Sequence, residues 1–251
     1  MSGLEAQVKD GGVLEIRLNR PSMGNAIDLP TAMALQDAVR TASLNDAVRA
    51  VLVTSAGSRF CTGGDLVAMM AATDRSNYVH NLATTLDAAL IALDGLSKPV
   101  VCAVQGAVAG AGMAVMLAAD VIVAENDCRF TMAYSRVGLT PDCGVSWLLP
   151  RAVGQVRALD LAVTGRTLTA AEALDWGLVS RVEPDARGTA DRLAATLANG
   201  PRLALGQTRR LVRSSWNSTR TETGRDEART IAATIKTEDA AQRMDAFSRR
   251  R

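Results

Sequence analysis

The chain has 251 residues, 48% of them hydrophobic and 22% charged, so it is long enough for one large core and unlike a disordered or fibrous sequence. A net charge of +2, spread along the chain except for Arg249-Arg250-Arg251, carries no nucleic-acid signature. Four cysteines without a C-x-x-C pair, and a single histidine, argue against a disulfide framework or a structural metal and for free thiols in a reducing, cytoplasmic setting. The start, Met1-Ser2-Gly3-Leu4-Glu5, lacks the apolar run of a signal peptide. Aromatics are only 3%, which leaves Ala, Val, Leu and Met to fill the interior.

Taken in order, Val13–Leu18 alternates with period two and predicts a strand with one wet face. Asn19–Asn25 is a turn cluster, and Pro30 opens a helix that runs through Val39. A β-branched strand follows at 50–54. Phe60-Cys61-Thr62-Gly63-Gly64-Asp65 then forms a glycine turn into a short helix from Leu66, which Asp65 is expected to cap. Residues 71–81, which include the single histidine, His80, read as a polar, mobile loop, and Leu82–Leu93 as a helix. A strand at 100–104 leads into Gly106-Ala107-Val108-Ala109-Gly110-Ala111-Gly112 and a second small-residue helix. The apolar stretch at 99–119 is interrupted by Gln105 and glycines, so it predicts a buried strand and helix and no membrane span. A strand at 121–124, an extended or short helical piece at 130–137 and a loop at 138–144 come next. Beyond Ser146 the pattern is helical, with one strand at 178–182 and helices at 189–199, 201–215 and 222–248. An α/β core followed by a helical tail fits this order.

The two glycine turns carry the chemistry. Each is a strand–turn–helix without bulky side chains, so a ligand can reach bare N–H groups at a helix start. Two such turns could aim two donors at one oxygen, as in an oxyanion hole. Close helix–strand packing is the competing reading for either turn alone.

Asn19-Arg20-Pro21…Asn25-Ala26, Arg59–Leu66, Lys98-Pro99-Val100…Gly106…Ala109–Gly112, Ala118-Ala119-Asp120, Gly138-Leu139…Pro141, Leu148–Arg151 and Ala171-Glu172-Ala173…Trp176–Val179 together resemble the crotonase, or enoyl-CoA hydratase/isomerase, family. The resemblance covers nearly the whole chain. It implies an α/β fold, a crotonase-like spiral of ββα units over residues 1–195, with a helical C-terminal trimerisation region over 196–251. It also implies an acyl-CoA substrate, with coenzyme A as part of the substrate and no further cofactor or metal. The expected assembly is a homotrimer or dimer of trimers.

Carried over by position, the oxyanion-hole donors are the N–H groups of Gly64 and Ala111. The two glutamates of the family's hydratases fall on Ala114 and Tyr134, which cannot activate water and deliver a proton as that pair does. Asp142 falls where relatives carry a functional aspartate, and 141–151 looks most like the phenylacetate-type isomerases. The local pattern Pro141-Asp142-Cys143-Gly144 equally suits a turn or helix cap. Ala26, Thr62 and Leu66 are expected along the coenzyme, Tyr134 in the acyl pocket, and Phe247 and Arg250 near the nucleotide. Trp147 and the cysteines read as packing. The implied activity is an enoyl-CoA isomerase. The alternatives are a non-catalytic acyl-CoA-binding homologue, or a hydrolase or dehalogenase with Asp142 as nucleophile.

Overall fold

The computed structural model describes residues 3–249. Strands β1 (Leu4–Lys9) and β2 (Val13–Leu18) form an antiparallel hairpin, with Gly11 and Gly12 both in the left-handed region at its turn. The chain then passes through Ile27 into helix α1 (Leu29–Leu44), capped by Asp28, whose side chain accepts from the Thr31 N–H. Strand β3 (Ala50–Ser55) leads through Cys61 and Gly64 to α2 (Leu66–Ala71) and α3 (Arg75–Asp94). Strand β4 (Val100–Val104) leads through β5 (Ala107–Ala109) to α4 (Ala111–Leu117). Strand β6 (Val121–Ala124) leads through β7 (Arg129–Thr131) to a 3-10 turn at Ala133–Val137.

The same path is therefore walked four times: a long strand, a short extended crossing, a helix start. The long strands pair in the order β1-β2-β3-β4-β6, parallel from β2 onward. The crossings pair as well, Ile27 with Gly64, Cys61 with Val108 and β5 with β7, all parallel. This is a spiral of ββα units, and it sets equivalent helix starts side by side.

After the spiral come α5 (Val145–Val153), α6 (Gln155–Thr164), β8 (Thr167–Thr169), α7 (Ala170–Asp175), β9 (Arg181–Val182), α8 (Ala186–Ala198), α9 (Arg202–Ser214), α10 (Arg220–Thr234) and α11 (Glu238–Ser248). Strand β8 joins the small sheet beside β7, and β9 closes the large sheet beside β6.

Strand β3 is buried along its whole length. Val51 and Val53 face the main core, whereas Ala50 and Leu52 join Val101, Ala103 and Val123 against α8. Helix α8 meets that face with Ala186, Ala190, Ala194 and Ala198, one per turn, so its backbone lies close to the sheet. The expected boundary at 195/196 therefore falls inside a helix that belongs to the core. Helix α9 docks through Arg209, which is buried and pairs with Asp120 at 2.7 Å. Arg209 also donates to the carbonyls of Leu93 and Asp94, the last residues of α3, and of Leu96 just beyond it. Helices α10 and α11 bury none of their described residues.

Several local expectations change. Residues 75–81 are the first two turns of α3, started by Asp74, whose carboxylate accepts from the Asn77 N–H. Polar exposed residues hid this part of the helix. The strand at 178–182 shrinks to two residues, and the helix at 222–248 breaks into α10 and α11, the second capped by Thr237. Strands β1, β5, β7 and β8 had no clear period because each is short or exposed. Among the described residues no helix is long and apolar enough to cross a membrane.

Candidate active site

The spiral brings the two glycine turns into contact. At the first, the Ile27 N–H donates to the Gly63 carbonyl at 2.8 Å and the Asp65 N–H to the Ile27 carbonyl at 2.9 Å. Gly63 has φ 107°, open in practice only to glycine. Asp65 then caps α2 as expected, accepting from the Ala68 N–H at 3.0 Å. At the second turn, the Ala109 N–H donates to the Cys61 carbonyl at 2.8 Å and Gly110 takes φ 52°, ψ −126°. A methyl group built on Gly110 would lie 3.4 Å from the Cα of Gly63, and one on Gly112 only 2.6 Å from the Cys61 carbonyl oxygen. Glycine is thus required where the turns touch.

Between these contacts the N–H groups of Gly64 and Ala111 donate to no described backbone group. Ala111 is the first residue of α4, so it has no intrahelical acceptor. Its φ is not positive, so the methyl group costs nothing there. Both residues line one cavity of about 190 Å³.

Asp142 lines the same cavity. It does not cap α5 with its side chain: the cap residue is Gly144, and Asp142 contributes only its carbonyl, to the Val145 N–H at 3.1 Å. Cys143 and Gly144, at φ 52° and 71°, make the left-handed turn into α5. The Asp142 carboxylate is freed to accept a hydrogen bond from the Tyr134 hydroxyl at 2.6 Å. Burial, and then the Asp142 charge and this hydrogen bond, push the Tyr134 hydroxyl far up from its ordinary range, so it stays protonated and donates. The Tyr134 ring also lies beside the Gly110 turn. Ala114 is fully buried inside α4 and presents no functional group.

Thr62 and Leu66 line the cavity with these residues. Ala26 does not; its carbonyl accepts from Arg20 at 2.6 Å while its neighbour Ile27 reaches the cavity. Phe247 is exposed on α11 and outside the cavity lining, and Arg250 lies outside the described residues. All four cysteines are free and buried, and burial pushes the Cys61 thiol up to about 12. Trp147 is partly exposed and packs at the surface, under the Arg151 guanidinium and edge-on to Trp216 at 5.1 Å between ring centroids. Among the described residues no group of three or more His, Cys, Asp or Glu could hold a metal ion.

Two features of the site escaped the sequence reading. One is the face Val79, Leu82, Ala83 and Leu86 of α3, which forms the apolar wall. Its helical spacing was readable once 75–81 is taken as helix. The other is Arg20, which pairs with Asp65 at 2.8 Å and Asp28 at 3.3 Å and so ties the caps of α1 and α2 together. No local pattern announces a contact 45 residues away.

The chain matches the family model described as enoyl-CoA hydratase/isomerase over residues 8–251. It is 37% identical over 219 residues to a 1,2-epoxyphenylacetyl-CoA isomerase of Escherichia coli (strain K12), covering 84% of this chain and 81% of that protein. It is 38% identical over 195 residues to a trans-2-decenoyl-[acyl-carrier-protein] isomerase of Streptococcus mutans, covering 76% and 74%. The crystal structure of an enoyl-CoA hydratase from Polaromonas sp. JS666 superposes with a TM-score of 0.93 at 29% identity, covering 99% of this chain and 97% of that one. A match that runs through both glycine turns to the C-terminal helices, on the same spiral, makes this chain a member of the enoyl-CoA hydratase/isomerase family.

Proposed function

We propose that the protein is an enoyl-CoA isomerase that moves a double bond through a thioester enolate. The observation that carries this reading is a single carboxylate, Asp142, sharing one cavity with two unengaged N–H donors, Gly64 and Ala111. With the thioester oxygen between the two donors, Asp142 takes a proton from C2 of a 3-enoyl group. The C2–H electron pair becomes the C1–C2 double bond of an enolate and charge collects on the oxygen; as the carbonyl re-forms, the C1–C2 pair shifts into the C2–C3 bond and the C3–C4 pair takes the proton back at C4. The two donors stabilise the enolate more than the ground-state carbonyl, and losing one typically costs about 3 kcal/mol of barrier. Tyr134 holds the carboxylate toward the substrate.

A 1,3-proton shift needs one group that takes and returns the same proton. Hydration needs a second acid or base for water, and Ala114, sealed in the core, supplies none. Thr62 and Leu66 would flank the coenzyme, with Phe247 and Arg250 at the nucleotide, where the resemblance puts them. Buried free cysteines suit the reducing cytoplasm, and the family's trimeric assembly, or a dimer of trimers, is the expected form.

The test is a panel of 3-enoyl-, 2-enoyl- and dienoyl-CoA thioesters followed by ultraviolet absorbance. Asp142→Asn, nearly isosteric, should lower kcat for isomerisation at least about 10²-fold while acyl-CoA binding persists. Crotonyl-CoA should be hydrated far more slowly than 3-enoyl substrates are isomerised. Tight binding without turnover of any thioester would instead favour a non-catalytic acyl-CoA-binding protein.

A further inference from the structure

Gly64 lacks a side chain for a reason unlike that at Gly63 and Gly110. Its φ is not positive, so backbone strain does not demand glycine there. Instead the terminal methyl carbon of Met69, Cε, lies 2.5 Å from the position that a β-carbon on Gly64 would take. That methyl group fills the space beside the Gly64 backbone, and Met69 lines the cavity together with Gly64 and Ala111. Met69 is carried by α2, a helix of six residues that buries none of them.

The sulfur atoms of the chain differ sharply in what can reach them. All four cysteines are buried, and burial pushes every thiol up, so the thiolate that reacts with peroxides is scarce. A methionine thioether needs no ionisation to react. Met113, Met116 and Met132 are sealed in the core, whereas Met23, Met33, Met70 and Met244 are exposed. Met69 is half-buried, and among the described residues no other methionine lines the cavity.

We propose that Met69 is a modification site, at which oxidation by a hydroperoxide closes the cavity to acyl thioesters. This rests on the reading of Gly64 as a donor to the thioester oxygen. The Met69 Sδ attacks the terminal oxygen of the hydroperoxide, and an S–O bond forms as the O–O bond breaks. The proton of the attacked oxygen passes to the leaving oxygen, which departs as water or an alcohol. Sulfur loses two electrons and the peroxide gains them. The sulfoxide oxygen stands two bonds from Cε, beside the Gly64 backbone, on a side chain with the freedom to turn. There it accepts the Gly64 N–H, which donates to no described backbone group. One of the two donors is then occupied by the protein itself, and an apolar part of the wall has become polar. Methionine sulfoxide is reducible, so the block is reversible.

The test treats the protein with hydrogen peroxide and follows each methionine by tandem mass spectrometry of its peptides. At each stage kcat on a 3-enoyl-CoA and Kd for butyryl-CoA are measured. Full oxidation of Met69 should cut kcat at least about tenfold, since losing one such donor typically costs about 10²–10³. Kd should rise at least about fivefold, the worth of one hydrogen bond, and a methionine sulfoxide reductase should restore both values. Met70→Leu, which removes the exposed neighbour, should respond to peroxide as the wild type does. Met69→Leu, similar in volume but without sulfur, should hold its own untreated kcat and Kd through the treatment. Met69→Gln carries an amide oxygen where the sulfoxide oxygen would stand. Untreated, it should bind butyryl-CoA at least about fivefold more weakly than Met69→Leu does. A Met69 that stays reduced once Met70 is fully oxidised overturns the site, as do equal losses in Met69→Leu and wild type. Binding weakened by oxidation, with no thioester turned over beforehand, would keep the site and remove the isomerase reading. Isomerisation that survives full oxidation of Met69 would do the reverse, and absence of both binding and turnover would remove both.

Discussion

The proposed chemistry rests on a few residues whose neighbours leave them one thing to do. Tyr134 stands where a carboxylate would serve a hydratase, and its hydroxyl donates to Asp142 at 2.6 Å. It thereby fixes the carboxylate's orientation in the cavity without being a second base. Tyr134→Phe keeps the ring and removes only that bond. The expected outcome is a fall in kcat of about tenfold, the worth of one charge-assisted hydrogen bond, with KM changed less than about twofold. An unchanged kcat would leave Tyr134 as a space-filling group. Asp65 works differently. Burial alone would push its carboxyl up, but the Ala68 N–H bond and the Arg20 guanidinium outweigh burial and hold it below the usual carboxylate range. A carboxylate lowered in the folded state stabilises the fold above its unfolded value of about 3.9, and that contribution disappears as pH falls through the folded value. Denaturant titrations should find Asp65→Asn less stable than wild type by about 1–2 kcal/mol at neutral pH. The gap should close in strong acid, and a gap independent of pH would show that the charge has no part in it.

At the scale of elements, the decisive event is the alignment of helix starts. Helices α2 and α4 are too short, at six and seven residues, to persist alone, and their positions come from the crossings that precede them. Those crossings pair in parallel, so a strand, a turn and a helix start recur at matching heights. The Gly64 and Ala111 donors are neighbours for that reason, although 47 positions apart in the chain. Helix α3 supplies the opposite wall of the cavity, and its C-terminal carbonyls receive Arg209 of α9, while Arg213 donates to the Ala118 and Ala119 carbonyls after α4. Cationic groups at helix C-termini complement the helix dipole. The helix that walls the site and the helix that begins at Ala111 are thus both tied to the C-terminal part of the chain.

At the scale of the molecule, α10 and α11 stand out because they contribute nothing to the core. Ile231, Ile235, Met244 and Phe247 are all more than half exposed. Helices of this kind gain stability only by burying an apolar face. Copies of this chain are the partners the family's assembly would supply, and light scattering should then give a mass three times that of the chain or six times. A monomer at micromolar concentration would refute that assembly.

Much of this was legible in the residues themselves. The strands at 50–54 and 100–104 are β-branched runs buried on both faces, Asp65 is a local cap, and both glycine turns declare themselves by composition. These depend on steric rules and on hydrogen bonds spanning a few residues, so sequence alone determines them. The lack of an acid at Ala114, where the resemblance puts one of the hydratase pair, was legible too, since no fold can make alanine an acid. The meeting of Gly63 with Gly110, the release of Asp142 from capping and its bond to Tyr134 were beyond its reach. So was Arg20 bridging two caps. Each depends on where the spiral brings distant segments together, and that is set by strand register and core packing summed over the whole chain, not by any window of residues.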